Sequence, residues 1–278
     1  MGRIVRSLLL WAALSLTLPG LAGAVDASRF DDPVLPGDGR TFLALVRAVF
    51  PGIAEEDGAL VTTRDQVLRQ PGTKERFTLP AGARLTGAEA LAVRGDGQAN
   101  LVVLWSLAAE TENPGGGAAV LAIFPGDADV PADVASVGTD VYCDLADGRL
   151  LALGPDHAFF IRNHHFNSNQ SYLDTGLFHV TASRLRRVAQ VMTLSVRGAC
   201  NAAFEERLDW ETSPRPGAVY PDVTAVVRLS PGPGCRKGPA GLPTGALRET
   251  YRHDPASGRF TARGKGLAAL DTFNERNF

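Results

Sequence analysis

Short apolar runs separated by turn residues fill the sequence from about residue 60 onward. The segments LVVLW at 101–105 and AVLAIF at 119–124 are apolar at every position, and clusters of Gly, Pro, Asp and Asn separate such runs. The segments VAQVMTLSV at 188–196 and DVTAVVRL at 222–229 instead follow a period of two, which is typical of a strand with one covered face. This pattern predicts a mainly β chain.

The balance of strands and helices predicts the fold class. About ten strands against one clear helix favour an antiparallel sandwich or a barrel-like sheet with one short N-terminal helix. Either architecture covers both faces of the fully apolar runs. We expect Asp38 to cap the helix and Pro51 to end it, because four apolar residues between them follow helical spacing: Phe42, Leu45, Val46 and Val49.

The first 24 residues have the order of a secretory signal peptide. Two arginines, an apolar run and small residues follow one another at positions 3 and 6, 8–18 and 22–24. Pro19 interrupts the apolar run too early for a membrane-spanning helix. We therefore predict a leader at 1–24 and a single mature β-rich domain at 25–278, periplasmic or secreted and without a membrane span. The stretch 126–137 is a candidate boundary between subdomains.

The charge of the chain argues against a nucleic-acid partner. Loss of the leader removes two arginines and no acid, which changes the formal net charge from −2 to −4. Proteins that hold phosphate backbones need clustered lysine and arginine. The two basic clusters are short, and we interpret both as solvated loop charges: Arg184 with Arg186 and Arg187, and Arg236 with Lys237.

Three cysteines occur in the predicted mature chain. Cys143 alternates with apolar residues in VYCDL and is expected to be a buried thiol, whereas Cys200 and Cys235 lie in loop-like sequence. In an oxidising compartment two cysteines can pair. We predict a disulfide between Cys200 and Cys235, with Cys143 as the alternative partner of Cys200.

One segment, FFIRNHHFNSNQSYLD at 159–174, holds two adjacent histidines, three asparagines, a glutamine and two serines. Imidazole groups can transfer protons or bind metals, and four of the five histidines lie in this segment or beside it: His157, His164, His165 and His179. We predict a β-hairpin with its tip near Ser168. The predicted register places Arg162 opposite Asp174, Phe160 opposite Gly176, and His157 opposite His179, because it pairs opposite charges and places a ring over a glycine.

Strand geometry limits the sites that this hairpin can form. His164 and His165 project to opposite faces, since side chains alternate along a strand, so a single four-histidine centre is excluded. A cross-strand metal pair of His157 and His179 remains as one alternative. The other is a ligand-binding tip formed by six residues: Asn163, His164, His165, Asn167, Asn169 and Ser171.

The side chains of this segment favour binding over catalysis. Amide and imidazole groups donate and accept hydrogen bonds and suit a neutral polar ligand such as a sugar or a peptide backbone, although an asparagine-rich tip also suits a simple turn. GxSxG, HExxH and phosphate-loop motifs are absent from the sequence. We therefore expect a binding or envelope-associated module without catalysis or cofactor. The alternative is a hydrolase of an envelope polymer, with His164 or His165 as general base and Asn167 or Asn169 orienting the substrate.

Overall fold

The computed structural model describes residues 21–109, 116–140, 142–166 and 170–277. Its first part contains these elements: β1 (Leu21–Asp26), α1 (Phe42–Val49), β2 (Ile53–Glu56), β3 (Ala59–Thr62), β4 (Gln66–Arg69), β5 (Arg76–Leu79), β6 (Arg84–Gly95), β7 (Gln98–Ala108), β8 (Gly116–Pro125) and β9 (Asp133–Asp140). Its second part contains these: β10 (Cys143–Asp144), β11 (Leu150–Leu153), β12 (Asp156–Phe166), β13 (Gln170–Thr181), β14 (Arg184–Val196), β15 (Phe204–Ser213), β16 (Asp222–Pro231), β17 (Ala246–Asp254), β18 (Arg259–Ala262) and α2 (Ala268–Asn277).

The strands form two sheets. In the first, the order is β2-β3-β6-β7-β8-β9-β4-β5, with β1 also beside β6; in the second it is β10-β12-β13-β14-β15-β16-β17-β18, with β11 beside β12. Strand pairs are antiparallel except for β4 with β9. The mainly β, sandwich-like prediction is confirmed, and neither sheet closes on itself within the described residues. The strands are more numerous than the ten predicted, because several are only four residues long. Their polar and apolar residues show no clear alternation that would have predicted a strand.

The sheets pack against each other through a shared apolar core. Leu91, Val102 and Leu121 of the first sheet meet Phe159 and Phe178 of the second, and all five side chains are buried. The opposite face of β7 and β8 packs against α1 in a separate core. At β7 and β8, both faces of the first sheet are therefore covered, as the fully apolar sequences of these strands predict.

Helix α1 confirms the predicted spacing and corrects the predicted cap. Its four periodic apolar side chains are all buried. The Oγ1 atom of Thr41 accepts a hydrogen bond from the backbone N–H of Ala44 at 3.2 Å and so caps the helix. Asp38 lies too early in the chain, and its carboxylate instead binds the guanidinium of Arg40 at 2.7 Å. Helix α2 was not predicted, although Leu270 and Phe273 on it are buried.

The predicted pairing of the cysteines is confirmed. Cys200 and Cys235 form a disulfide with a Cα–Cα distance of 5.3 Å, which joins the β14–β15 and β16–β17 connections. Cys143 is buried in the core between the two sheets. The disulfide therefore ties two connections of the second sheet together.

The predicted leader lies mainly outside the described residues. Residues 21–24 form the first part of β1, which pairs with β6. The chain passes from the first sheet to the second after β9, so the stretch 126–137 belongs to the first sheet. In the described part of the chain, both helices are too short to span a membrane. The leader and the single-domain organisation stay predictions.

Candidate functional site

The β12–β13 hairpin is present, but its register differs from the predicted one by one residue. Asn163 lies opposite Asp174, and Ile161 lies opposite Gly176. A shift of one residue turns one strand's side chains to the other face. Asp174 therefore shares a face with Asn163, and Arg162 points to the opposite face.

Arg162 is paired with a different acid, which explains the register. β10 lies beside β12 and places Asp144 opposite Arg162, whose Nε donates to the Asp144 carboxylate at 2.7 Å. The guanidinium also reaches Asp147 at 3.2 Å. Arg162 therefore has its counter-charges without Asp174, and the predicted Arg162–Asp174 pair is wrong.

The same acid binds one of the adjacent histidines. His164 Nε2 lies 2.8 Å from Asp144 Oδ2, and both side chains are about one-third exposed. Burial raises the pKa of Asp144, but the hydrogen bonds from His164 and Arg162 outweigh it and hold the pKa below its ordinary value. His165 projects to the other face, as predicted, and stacks on Tyr172 with ring centroids 4.6 Å apart.

The predicted cross-strand pair of His157 and His179 is not formed. Ala158 lies opposite His179, so His157 and His179 point to opposite faces of the hairpin. His157 Nδ1 accepts a hydrogen bond from the backbone N–H of Arg94 at 3.4 Å. In the described part of the chain, no group of three His, Cys, Asp or Glu side chains could hold a metal ion.

His179 belongs instead to a buried polar cluster. Its Nε2 lies 3.3 Å from Asp156 Oδ2, the hydroxyl of Tyr220 donates to the same oxygen at 2.8 Å, and the backbone N–H of Gly97 donates to the other at 2.8 Å. Burial lowers the pKa of His179, and Asp156 offsets this only in part. His253 packs edge-on against Tyr220 at 4.7 Å. The cluster is enclosed and links the first sheet to the second.

A polar cleft lies on the hairpin face that carries Asn163. It separates β9 of the first sheet from β12, β13 and β14 of the second and has a volume of about 170 Å³. Ile161 and Phe178 supply apolar lining. Seven polar side chains line it: Gln70, Ser136, Thr139, Asn163, Asp174, Arg187 and Gln190. The cleft therefore presents hydrogen-bonding groups over an apolar surface.

The polar groups of the cleft are partly connected. Arg187 donates a hydrogen bond to the side-chain oxygen of Gln190, and the amide of Gln190 donates to the carboxylate of Asp174. Burial raises the pKa of Asp174, and the bond from Gln190 and the charge of Arg187 offset this only in part. Asn163 Oδ1 is buried and has no hydrogen-bond partner in the described part of the chain. The acceptor without a partner therefore belongs to a residue that lines the cleft.

Glycine allows the two sheets to approach beside the cleft. A side chain at Gly138 on β9 would collide with the sulfur of Cys143 on β10 and would also come 3.8 Å from Asn163. Glycine at this position therefore lets β9 lie directly against the hairpin.

The six predicted ligand-binding residues are divided by the fold. Asn163 lines the cleft, and His165 lies further along the same face. His164 and Ser171 are on the opposite face. The remaining two, Asn167 and Asn169, lie outside the described residues.

The other cleft residues carried no local signal in the sequence. Gln70 lies beyond β4, Ser136 is on β9 and Gln190 is on β14, so pairing between distant segments brings them together. Side chains alternate along a strand, so the register of the hairpin decides whether Asp174 shares a face with Asn163. A prediction with the correct register would have placed these two residues side by side.

Comparisons of this chain with protein-family models, with curated proteins and with solved structures gave no significant match.

Proposed function

We propose that the protein is an exported binding or envelope-associated module without catalysis, which holds a neutral polar ligand in the cleft beside the β12–β13 hairpin. The buried, unpartnered Oδ1 atom of Asn163 carries this proposal, because buried polar atoms in proteins almost always have a partner. The signal-peptide pattern and the Cys200–Cys235 disulfide support export to an oxidising compartment.

The size of the cleft limits the ligand. Its volume of about 170 Å³ is below the roughly 300–1,000 Å³ of whole small-molecule sites. It therefore suits one unit of a longer chain, such as a single sugar or a short peptide segment. Asn163 and Gln190 supply amide groups, and the carboxyl group of Asp174 adds an acceptor. Hydroxyl and amide groups of a ligand are the matching chemistry.

The hydrolase alternative rests on the contact between His164 and Asp144. A carboxylate 2.8 Å from an imidazole nitrogen can orient the ring of a general base. His164 is, however, on the hairpin face opposite the cleft. Among the described residues, no hydroxyl or thiol is hydrogen-bonded to it as a nucleophile would be. The arrangement therefore favours an ion-pair network near the tip of the hairpin.

Titration of isotope-labelled protein with neutral oligosaccharides and peptides, followed by NMR, tests the binding proposal. We expect the shifts to concentrate at Asn163, Asp174 and Gln190. The Asn163→Ala variant should weaken binding about fivefold, because one neutral hydrogen bond contributes roughly 1 kcal/mol.

Asn201→Ala is the matched control, since Asn201 is an exposed amide outside the cleft. It should leave the dissociation constant unchanged. Binding that is indifferent to Asn163→Ala, or shifts that map to another face, would refute the cleft as the site.

A further inference from the structure

A groove lined by basic side chains runs along β14, where β14 approaches β18 and the β4–β5 turn. Its volume of about 690 Å³ lies within the range of small-molecule sites. Six cationic side chains line it: Arg69, Lys74, Arg184, Arg186, Arg187 and Arg259. Among its described lining residues there is no aspartate or glutamate.

Three of these arginines formed the cluster interpreted from the sequence as solvated loop charges, and that interpretation is wrong. Arg184, Arg186 and Arg187 lie on strand β14, and only Arg184 is largely exposed. The strand aligns them beside Arg259 of β18, which is distant in the sequence. The fold therefore brings together positive charges that are distant from one another in the sequence.

Little of this positive charge is neutralised by the protein. Arg69 forms an ion pair with Asp133. In the described part of the chain, the other five cationic side chains form no ion pair with an acid. Asp254 is the strand partner of Arg259, but its carboxylate accepts hydrogen bonds within the β17–β18 turn.

Arg186 lies in an unfavourable electrostatic environment among the other arginines of the groove. Its Nε is buried and has no hydrogen-bond partner in the described part of the chain. Burial lowers the pKa of Arg186, and the positive charges of Arg259 and Arg184 lower it further. A buried donor among like charges is costly unless an acceptor completes it, and an anion would supply both the acceptor and the counter-charge.

The β4–β5 turn is shaped to cover this region. Gly72 has a φ of +86°, and a side chain there would collide with the guanidinium of Arg187. Tyr251 and Phe260 add aromatic side chains to the groove lining. The groove therefore combines guanidinium groups with aromatic surface.

We propose that this groove binds a small ligand that carries two or more anionic groups: phosphate, sulfate or carboxylate. Guanidinium forks match the oxygens of these groups and form charge-assisted hydrogen bonds with them. An acidic oligosaccharide fits the lining best, because its rings can lie on aromatic side chains while its charges meet the arginines. The groove adjoins the cleft, and both are lined by Gln70, Arg187 and Gln190. Arg184, Arg186 and Arg259 line the groove alone, so variants at these positions test this site separately from the neutral-ligand site proposed above.

Calorimetric titration of the whole mature protein tests the groove. The probes are tripolyphosphate, a heparin-derived hexasaccharide and an oligogalacturonate, with a neutral maltohexaose for comparison. Binding of at least one anionic probe should weaken with added salt, since salt screens exposed charges, and maltohexaose should not compete with it. The ranking of the phosphate, sulfate and carboxylate probes identifies the anionic group.

The double variant Arg184→Ala/Arg259→Ala should lose roughly tenfold in affinity per arginine. Both residues are exposed, so the fold should persist, as circular dichroism can check. The matched control, Arg47→Ala/Arg84→Ala, removes the same charge from exposed positions outside the groove and should bind as the wild type does. Equal losses in both double variants, or no binding of any anionic probe, would overturn the proposal. Tighter binding of a single-stranded oligonucleotide than of every small probe would also overturn it, because the surface would then be a nucleic-acid site.

Discussion

Two histidine–aspartate pairs that involve the β12–β13 hairpin lie in opposite environments: Asp156 with His179 inside the hairpin, and His164 of the hairpin with Asp144 of β10. Asp156 and His179 are only 1% and 2% exposed, whereas Asp144 and His164 are 28% and 30% exposed. The first pair is enclosed between the sheets and an aromatic cluster, and the second meets solvent near the tip of the hairpin. The comparison shows that residue type alone does not assign a role to such a pair, because burial decides whether it can meet a ligand.

The buried pair is a structural unit. The carboxylate of Asp156 receives hydrogen bonds from Gly97, Tyr220 and His179. Burial acts to raise the pKa of Asp156, but these bonds outweigh it and hold the pKa below its ordinary value. A buried charge with several donors is costly to disturb. The exposed pair shares its charge with Arg162 and with water, so it contributes less to stability.

Replacement of the aspartate in each pair should give the largest difference between the two pairs. Asp156→Ala leaves the buried side chains of His179 and Tyr220 and the backbone N–H of Gly97 without their acceptor, and we expect the free energy of unfolding to fall by about 3 kcal/mol. Asp144→Ala breaks a network whose Asp144 and His164 side chains are about one-third exposed, and it should cost about 1 kcal/mol or less. Urea denaturation followed by tryptophan fluorescence measures both. Equal losses in the two variants would contradict the assignment of separate roles.

Glu206 shows what burial does to an acid without a basic partner. It is 8% exposed, and its Oε2 accepts hydrogen bonds from the backbone of Leu194 and the amide of Asn274. Its Oε1 has no partner in the described part of the chain. Burial raises the pKa of Glu206 to about 7. The folded chain thus holds this proton more tightly than the unfolded chain does.

The contribution of Glu206 to stability should therefore fall as pH rises. It is largest below pH 4.5, where folded and unfolded chains are both protonated, and it is lost as pH rises through about 7. In the Glu206→Gln variant, the side-chain oxygen can occupy the position of Oε2 and accept the same hydrogen bonds, and the amide nitrogen then occupies the position of Oε1. Relative to wild type, this variant should gain stability between these pH values, by up to roughly 3 kcal/mol at about 1.4 kcal/mol per pKa unit.

Urea denaturation at pH 5 and pH 8 measures this gain. Glu205→Gln on the same strand is the matched control, since Glu205 is exposed, and it should follow the wild-type pH dependence. A Glu206→Gln variant whose stability relative to wild type is the same at both pH values would show that burial does not perturb this acid.

Local signals predicted the elements that local contacts determine. The spacing of Phe42 and Val46 predicted α1. The pairing of Cys200 with Cys235 followed from their loop-like surroundings. These features depend on residues that are close in sequence or have few alternatives.

Long-range contacts determined what the sequence did not predict. The register of the β12–β13 hairpin depends on Asp144, which reaches Arg162 from a two-residue strand without a sequence signature. The cleft and the basic groove are assembled from segments of both sheets. A pattern that is read along the chain identifies Asn163 and Arg186 as polar or charged, but it does not identify their neighbours.

The most direct test measures binding and turnover of one ligand in two variants. With the tightest neutral ligand from the panel, His164→Ala should keep the wild-type dissociation constant, Asn163→Ala should raise it about fivefold, and mass spectrometry should recover the ligand intact from all three proteins. Cleavage of the ligand by the wild-type protein, abolished by His164→Ala, would contradict the account and assign the Asp144–His164 pair to catalysis.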